Sequence, residues 1–90
     1  MPVPAIFLVA PPQLDNPRGH IGSKFAGGDI ASRGLADAIR QVSEDTGCAF
    51  FDANSVTGSS TVDGVHLDAN QHETLGRALT PVAADLLWSA

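Results

Sequence analysis

Six consecutive apolar residues, Ala5-Ile6-Phe7-Leu8-Val9-Ala10, stand between Pro4 and Pro11-Pro12. An apolar run this short between helix breakers reads as a β-strand covered on both faces, the kind found in parallel sheets. The flanking prolines weigh against the competing reading, a buried helix segment, because the residue before a proline is steered away from helical geometry. Such a strand cannot stand alone. It needs strands beside it and helices above and below, and that requirement governs the reading of everything downstream.

Residues 13–28 have no periodicity and hold Pro17, Gly19, Gly22, Gly27 and Gly28. They read as a long surface loop, of a length that is often functional or mobile. Asp29 is placed to cap a helix running to about Thr46, in which Leu35, Ala38, Ile39 and Val42 form one apolar stripe. Gly34 weakens the first half of that helix by roughly 1 kcal/mol relative to Ala. Gly47 sits where a left-handed residue closes a helix. Cys48-Ala49-Phe50-Phe51 then forms a second strand ending at Asp52. Strand, helix and strand at this spacing predict a βαβ unit with its two strands parallel and a right-handed crossover.

Residues 54–64 are small and polar and read as a loop leaving the C-terminal end of the second strand. Asp68-Ala69-Asn70-Gln71 has the form of a capping box, with Gln71 reaching back to Asp68. The closing helix carries Leu75, Ala78, Leu79, Val82, Ala83 and Leu86 on one stripe, and Pro81 is predicted to kink or break it. Two strands and two helices do not close a doubly covered parallel sheet, and they leave apolar edges open. The chain is therefore expected to be part of a larger α/β sheet or to pair with further copies as a homo-oligomer.

Composition narrows the function classes. Ninety residues set a soft limit of one domain. Ten acidic residues against five basic ones give a net charge of −5, which disfavours nucleic acid or an anionic lipid surface as partner. No apolar stretch is long enough for a membrane span, and no basic region precedes the first apolar run as it would in a signal peptide. The expected location is cytoplasmic. The single cysteine, Cys48, excludes an internal disulfide and a cysteine-cluster zinc site. No cofactor is expected.

The densest chemistry is Asp63-Gly64-Val65-His66, in the loop after the second strand. Reacting groups of open α/β sheets collect outside the C-terminal ends of the strands. A carboxylate three residues before an imidazole, with a glycine between, can fold back to accept from Nδ1–H. That leaves Nε2 as a general base. The bland alternative is a loop carboxylate and a loop histidine with only structural hydrogen bonds.

Three segments taken together, Gly47-Cys48-Ala49-Phe50-Phe51-Asp52-Ala53, Asp63-Gly64-Val65-His66-Leu67-Asp68 and Leu75-Gly76-Arg77-Ala78-Leu79, resemble the C-terminal half of an SGNH (GDSL-type) hydrolase. The likeness is to the arylesterase and acyltransferase branch and covers residues 4–87. It implies a three-layer α/β/α fold on a mainly parallel sheet, and a serine esterase or acyltransferase acting on small esters. It implies Asp63 as triad acid and His66 as triad base, with residues 13–28 shaping the acyl or alcohol pocket and touching neighbouring subunits. The chain departs from the family in lacking the Gly-Asp-Ser nucleophile block and the oxyanion-hole Gly and Asn blocks. None of its seven serines follows Gly-Asp, and Gly28-Asp29 is followed by Ile30. The resemblance thus implies acid and base without nucleophile, the serine coming from an N-terminal half or another segment, and an isolated 90-residue chain that is inactive.

Other readings stay open at this point. Cys48 could act as nucleophile with His66 and Asp63, although it reads as a small packed hydrophobe. Ser59 and Ser60 stand near Asp63 in what reads as a flexible polar loop. His66, His72, Asp63 and Asp68 could form a small metal-binding site, although Asp68 is better used as a helix cap. A non-catalytic assembly module is a further class, in which the last helix and Trp88 dock a partner. His20 reads as solvated, and Arg33, Arg40 and Arg77 as surface ion-pair residues.

Overall fold

A computed structural model describes residues 5–89, so Pro4 lies outside the described residues. Two four-residue strands, β1 (Phe7–Ala10) and β2 (Ala49–Asp52), pair in parallel with Phe7 opposite Ala49 and Ala10 opposite Asp52. Both strand expectations hold, shortened at their N-terminal ends. The connection between them runs through a 3-10 turn at Gly19–Ile21 and two helices, α1 (Gly28–Ala31) and α2 (Leu35–Thr46). The single helix expected from Asp29 to Thr46 is therefore two. Gly34 stands between them at φ +79, left-handed backbone that a continuous helix cannot contain. At the far end Gly47 takes φ +72, and its N–H bonds the Ser43 carbonyl, the C-terminal closure expected there.

After β2 a 3-10 turn (Ala53–Ser55) leads into an irregular loop and then α3 (Ala69–Ser89). The capping box forms in half. Gln71 Oε1 accepts from the Asp68 N–H at 2.8 Å, but the Asp68 carboxylate accepts from the Ser60 hydroxyl at 2.7 Å instead of from the helix. Helix α3 runs on through Pro81 unbroken. A proline there removes one N–H donor, and the Thr80 hydroxyl bonds the Gly76 carbonyl at 2.8 Å in the same turn.

The core is thin. Among the described residues, Ala10 and Ala53 are the only buried hydrophobic side chains. The expected stripe of α2 is only partly covered: Ile39 is half-buried, while Leu35 and Val42 are exposed. Leu8 and Val9 of β1 line an open apolar hollow of about 310 Å³ with Ala38, Ile39 and Val42 of α2. Along α3, Leu75, Leu79, Val82 and Leu86 reach only half-burial, and Trp88 at its end is 89% exposed. The radius of gyration is 14.9 Å, against about 12 Å for a compact 90-residue domain. The accessible surface is 6094 Å², against roughly 5000 Å² for a compact chain of this mass. The apolar faces of the strands and of both long helices are left partly uncovered.

Candidate active site

Two loops leave the C-terminal ends of the strands and bind each other. The first follows Pro11-Pro12; the second follows Asp52. Asn54 starts the junction. Its N–H and side-chain amide both donate to Asp52 Oδ1, its Nδ2 also reaches the Pro11 carbonyl, and its Oδ1 accepts from the Gln13 N–H at 2.8 Å. Ser59 Oγ then donates to the Gln13 carbonyl at 2.7 Å. Ser60 N–H donates to the His66 carbonyl at 2.7 Å, while the Ser60 carbonyl accepts from Gly64 N–H at 2.9 Å. Ser60 Oγ donates to Asp68 and accepts from Val62 N–H. Both serines are buried, at 7% and 2% exposure, so the flexible polar loop expected here is a hydrogen-bonded frame. Their hydroxyls are committed to this frame, which removes them as nucleophiles.

Inside that frame the Asp63 carboxylate turns back on its own chain. Oδ1 accepts from the Val65 N–H at 2.8 Å and the His66 N–H at 3.0 Å. Oδ2 lies 2.8 Å from His66 Nδ1. Three hydrogen bonds converge on the charged form, led by the Val65 N–H and followed by the imidazole. They lower the Asp63 pKa from 3.8 to about 2. An ionised carboxylate can only accept, so Nδ1 carries a proton and, in the neutral imidazole, Nε2 presents its lone pair. Nε2 makes no protein hydrogen bond among the described residues, and the imidazole side chain is 66% exposed against 21% for the carboxylate. One partner is sheltered and fixed; the other is open to an incoming group.

A depressed carboxylate pKa gives a signed pH dependence. The hydrogen-bonded arrangement holds above about pH 4 and is lost as the pH falls from about 4 toward 2. The side-chain carboxyl ¹³C resonance of Asp63 is expected to titrate with a midpoint near 2. A midpoint at the ordinary 3.8 would mean that the three hydrogen bonds do not persist in solution.

Gly64 makes the turn possible. It takes φ +74, and a Cβ added there would fall 1.8 Å from the Asp15 carbonyl oxygen of the first loop. Asp15 N–H donates to the Gly64 carbonyl at 2.9 Å, and Arg18 N–H to the Asp63 carbonyl at 3.0 Å. Residues 13–18, the first part of the expected 13–28 surface loop, hold the turn from Asp63 to His66 from outside.

The remaining candidates separate. Cys48 precedes β2, at the opposite end of the strand from this loop, and accepts from the Thr46 hydroxyl at 3.2 Å. Four residues of strand, about 13 Å of extended chain, divide it from the acid–base turn. Among the described residues no three His, Cys, Asp or Glu side chains gather to hold a metal ion. Asp68 is taken by Ser60, and His72 is exposed on α3. His20 is exposed in the first loop. Arg40 pairs with Asp37 at 3.0 Å and Arg77 with Glu73 at 2.7 Å, both on the surface. Asn54, Ser59, Ser60 and Arg18 are the site-forming residues that pattern reading missed. Only Asn54, two residues after Asp52 at a strand end, carried a turn signal in the sequence.

No protein-family model matches the chain, and no curated protein does. Solved structures do. A carbohydrate acetylesterase family member from Sinorhizobium meliloti is similar at 39% identity and TM-score 0.86, over 93% of this chain and 40% of that one. The native aryl esterase of M. smegmatis is similar at 31% identity and TM-score 0.83, over 94% of this chain and 40% of that one. A further carbohydrate acetylesterase from Sinorhizobium meliloti matches at 30% identity and TM-score 0.84, with the same two coverages. The chain thus spans about 40% of the length of the solved structures it matches.

Proposed function

We propose that this chain, a partial-length relative of the SGNH-type esterases, carries the acid and the base of a serine esterase triad whose nucleophile lies on another polypeptide segment. The observation that carries the reading is the 2.8 Å contact from Asp63 Oδ2 to His66 Nδ1, in a loop at the C-terminal end of a parallel strand pair. The similar solved structures are named as esterases, which supports a small ester as substrate, an acetyl or aryl ester among them.

In this reading His66 Nε2 removes the proton of an incoming serine hydroxyl as it attacks the ester carbonyl. It then returns that proton to the leaving alcohol, and the second half-reaction repeats the exchange with water. Asp63 stays ionised throughout and stabilises the imidazolium. The oxyanion donors come with the nucleophile segment. That segment also supplies the missing strands, since the open apolar hollow over β1 and α2 and the half-buried stripe of α3 need cover. A larger sheet or a homo-oligomer would each provide it. No described helix is long and apolar enough to cross a membrane.

The isolated 90-residue chain is expected to hydrolyse p-nitrophenyl acetate no faster than free imidazole does, and to resist fluorophosphonate labelling. A stoichiometric burst or covalent label on the isolated chain would contradict the reading, because it would place a nucleophile within these residues.

A further inference from the structure

We propose that Arg18 is a positioning residue for the Asp63–His66 pair, acting through the backbone of the acid–base turn; the inference rests on the proposed role of that pair. Its guanidinium bridges the two loops. Nη1 donates to the Asp15 carbonyl at 2.9 Å and the Asn16 carbonyl at 3.0 Å, and Nη2 donates to the Thr61 carbonyl. Its own N–H donates to the carbonyl of Asp63. One residue therefore holds the turn on both sides of Val62, by side chain at Thr61 and by main chain at Asp63.

Three features separate this from an ordinary surface arginine. Every partner of the guanidinium is a backbone carbonyl, and no carboxylate pairs with it among the described residues. The residue is half-buried, whereas the ion-paired Arg40 and Arg77 are exposed. The loops it joins are drawn so close that residue 64 has no room for a Cβ, and the Arg18 Nη1 itself would stand 3.1 Å from that atom. Without the bridge, the stretch from Thr61 to Gly64 keeps the main-chain bonds from Asp15, Arg18 and Ser60 and the bond from Val62 N–H to Ser60 Oγ, and loses the tie that holds Thr61 to the first loop. The angle at which the Val65 and His66 N–H groups meet the carboxylate would loosen, and with it the imidazole's orientation. A lysine cannot replace the fork, since a single ammonium cannot span carbonyls on two loops in fixed geometry.

The test reads the imidazole directly. Long-range ¹H–¹⁵N NMR of the full chain at neutral pH reports which ring nitrogen of His66 holds the proton. The unsubstituted chain is expected to show Nδ1–H as the major tautomer. In Arg18→Ala and Arg18→Lys the ratio of Nδ1–H to Nε2–H is expected to fall about tenfold. Circular dichroism of Arg18→Lys should be unchanged, and millimolar guanidinium should restore the ratio in Arg18→Ala. If Arg18→Ala does not fold, Arg18→Lys, which keeps the stem and the charge, decides the matter. A locked Nδ1–H signal that persists in the lysine variant overturns the role of Arg18 and leaves the acid–base pair standing. An unsubstituted chain without excess Nδ1–H overturns the pair itself, and the positioning role with it.

Discussion

Replacing His66 by Ala in an enzyme completed by a nucleophile-bearing segment is expected to lower kcat by about 10⁴-fold or more. In the proposed reading the imidazole supplies both proton transfers of each half-reaction, and Asp63, already tied to Nδ1, cannot take them over. The companion change, Asp63→Asn, is expected to cost about 10³- to 10⁴-fold for a different reason. An asparagine oxygen can still accept from the Val65 and His66 N–H groups, as Oδ1 does now at 2.8 and 3.0 Å. The turn therefore survives. The atom facing Nδ1 becomes an NH₂ donor, which places the proton on Nε2 and removes the base. A purely structural role for Asp63 would give the opposite pattern, with folding impaired and kcat spared. Steady-state kinetics beside a thermal melt separates the two.

Gly64→Ala carries the second large effect. The residue would need left-handed backbone at φ +74 and would place its Cβ 1.8 Å from the Asp15 carbonyl oxygen. Both the conformation and the neighbour are main chain, so no rotamer change relieves the clash. A non-glycine residue in this conformation costs of order 1–3 kcal/mol before the clash is counted. The loops must then part, breaking the bonds from Asp15 N–H to Gly64 and from Arg18 N–H to Asp63. A loss of at least about 2 kcal/mol is expected, large against the thin stability of a chain this size. Gly58→Ala is the control, since a Cβ at Gly58 meets nothing within 4 Å. That change is expected to fall within about 0.5 kcal/mol of neutral. Urea midpoints of the two variants check the contrast.

What could be read in advance, and what could not, divides along sequence distance. The strands declared themselves through short apolar runs between breakers, and Gly47 through its place after the last helical residue. The turn from Asp63 to His66 closes over three residues, so its hydrogen bond was legible from spacing alone. The division of the first helix at Gly34 was not. A lone glycine in a helical pattern can be tolerated or can reverse the chain, and which it does is a backbone choice, here φ +79, that periodicity does not carry. Ser59 and Ser60 looked like solvated loop because their partners, Gln13 and Asp68, lie 46 and 8 residues away. Arg18 had no signal at all. Its partners are carbonyls, which every residue possesses, and the contact to Thr61 spans 43 residues. The shortage of cover was legible, because the apolar runs and the two apolar stripes exceed what two helices can bury, and Leu35, Val42 and Trp88 stand exposed.

The most direct test replaces the matching stretch of the Sinorhizobium meliloti carbohydrate acetylesterase family member, 39% identical, with this chain. Active sites in the chimera are then counted by burst titration with p-nitrophenyl acetate. One acyl-enzyme per chimera, abolished by His66→Ala, is the predicted result. A folded chimera with no burst, or a burst that survives His66→Ala, would contradict the assignment of the acid and the base to these residues.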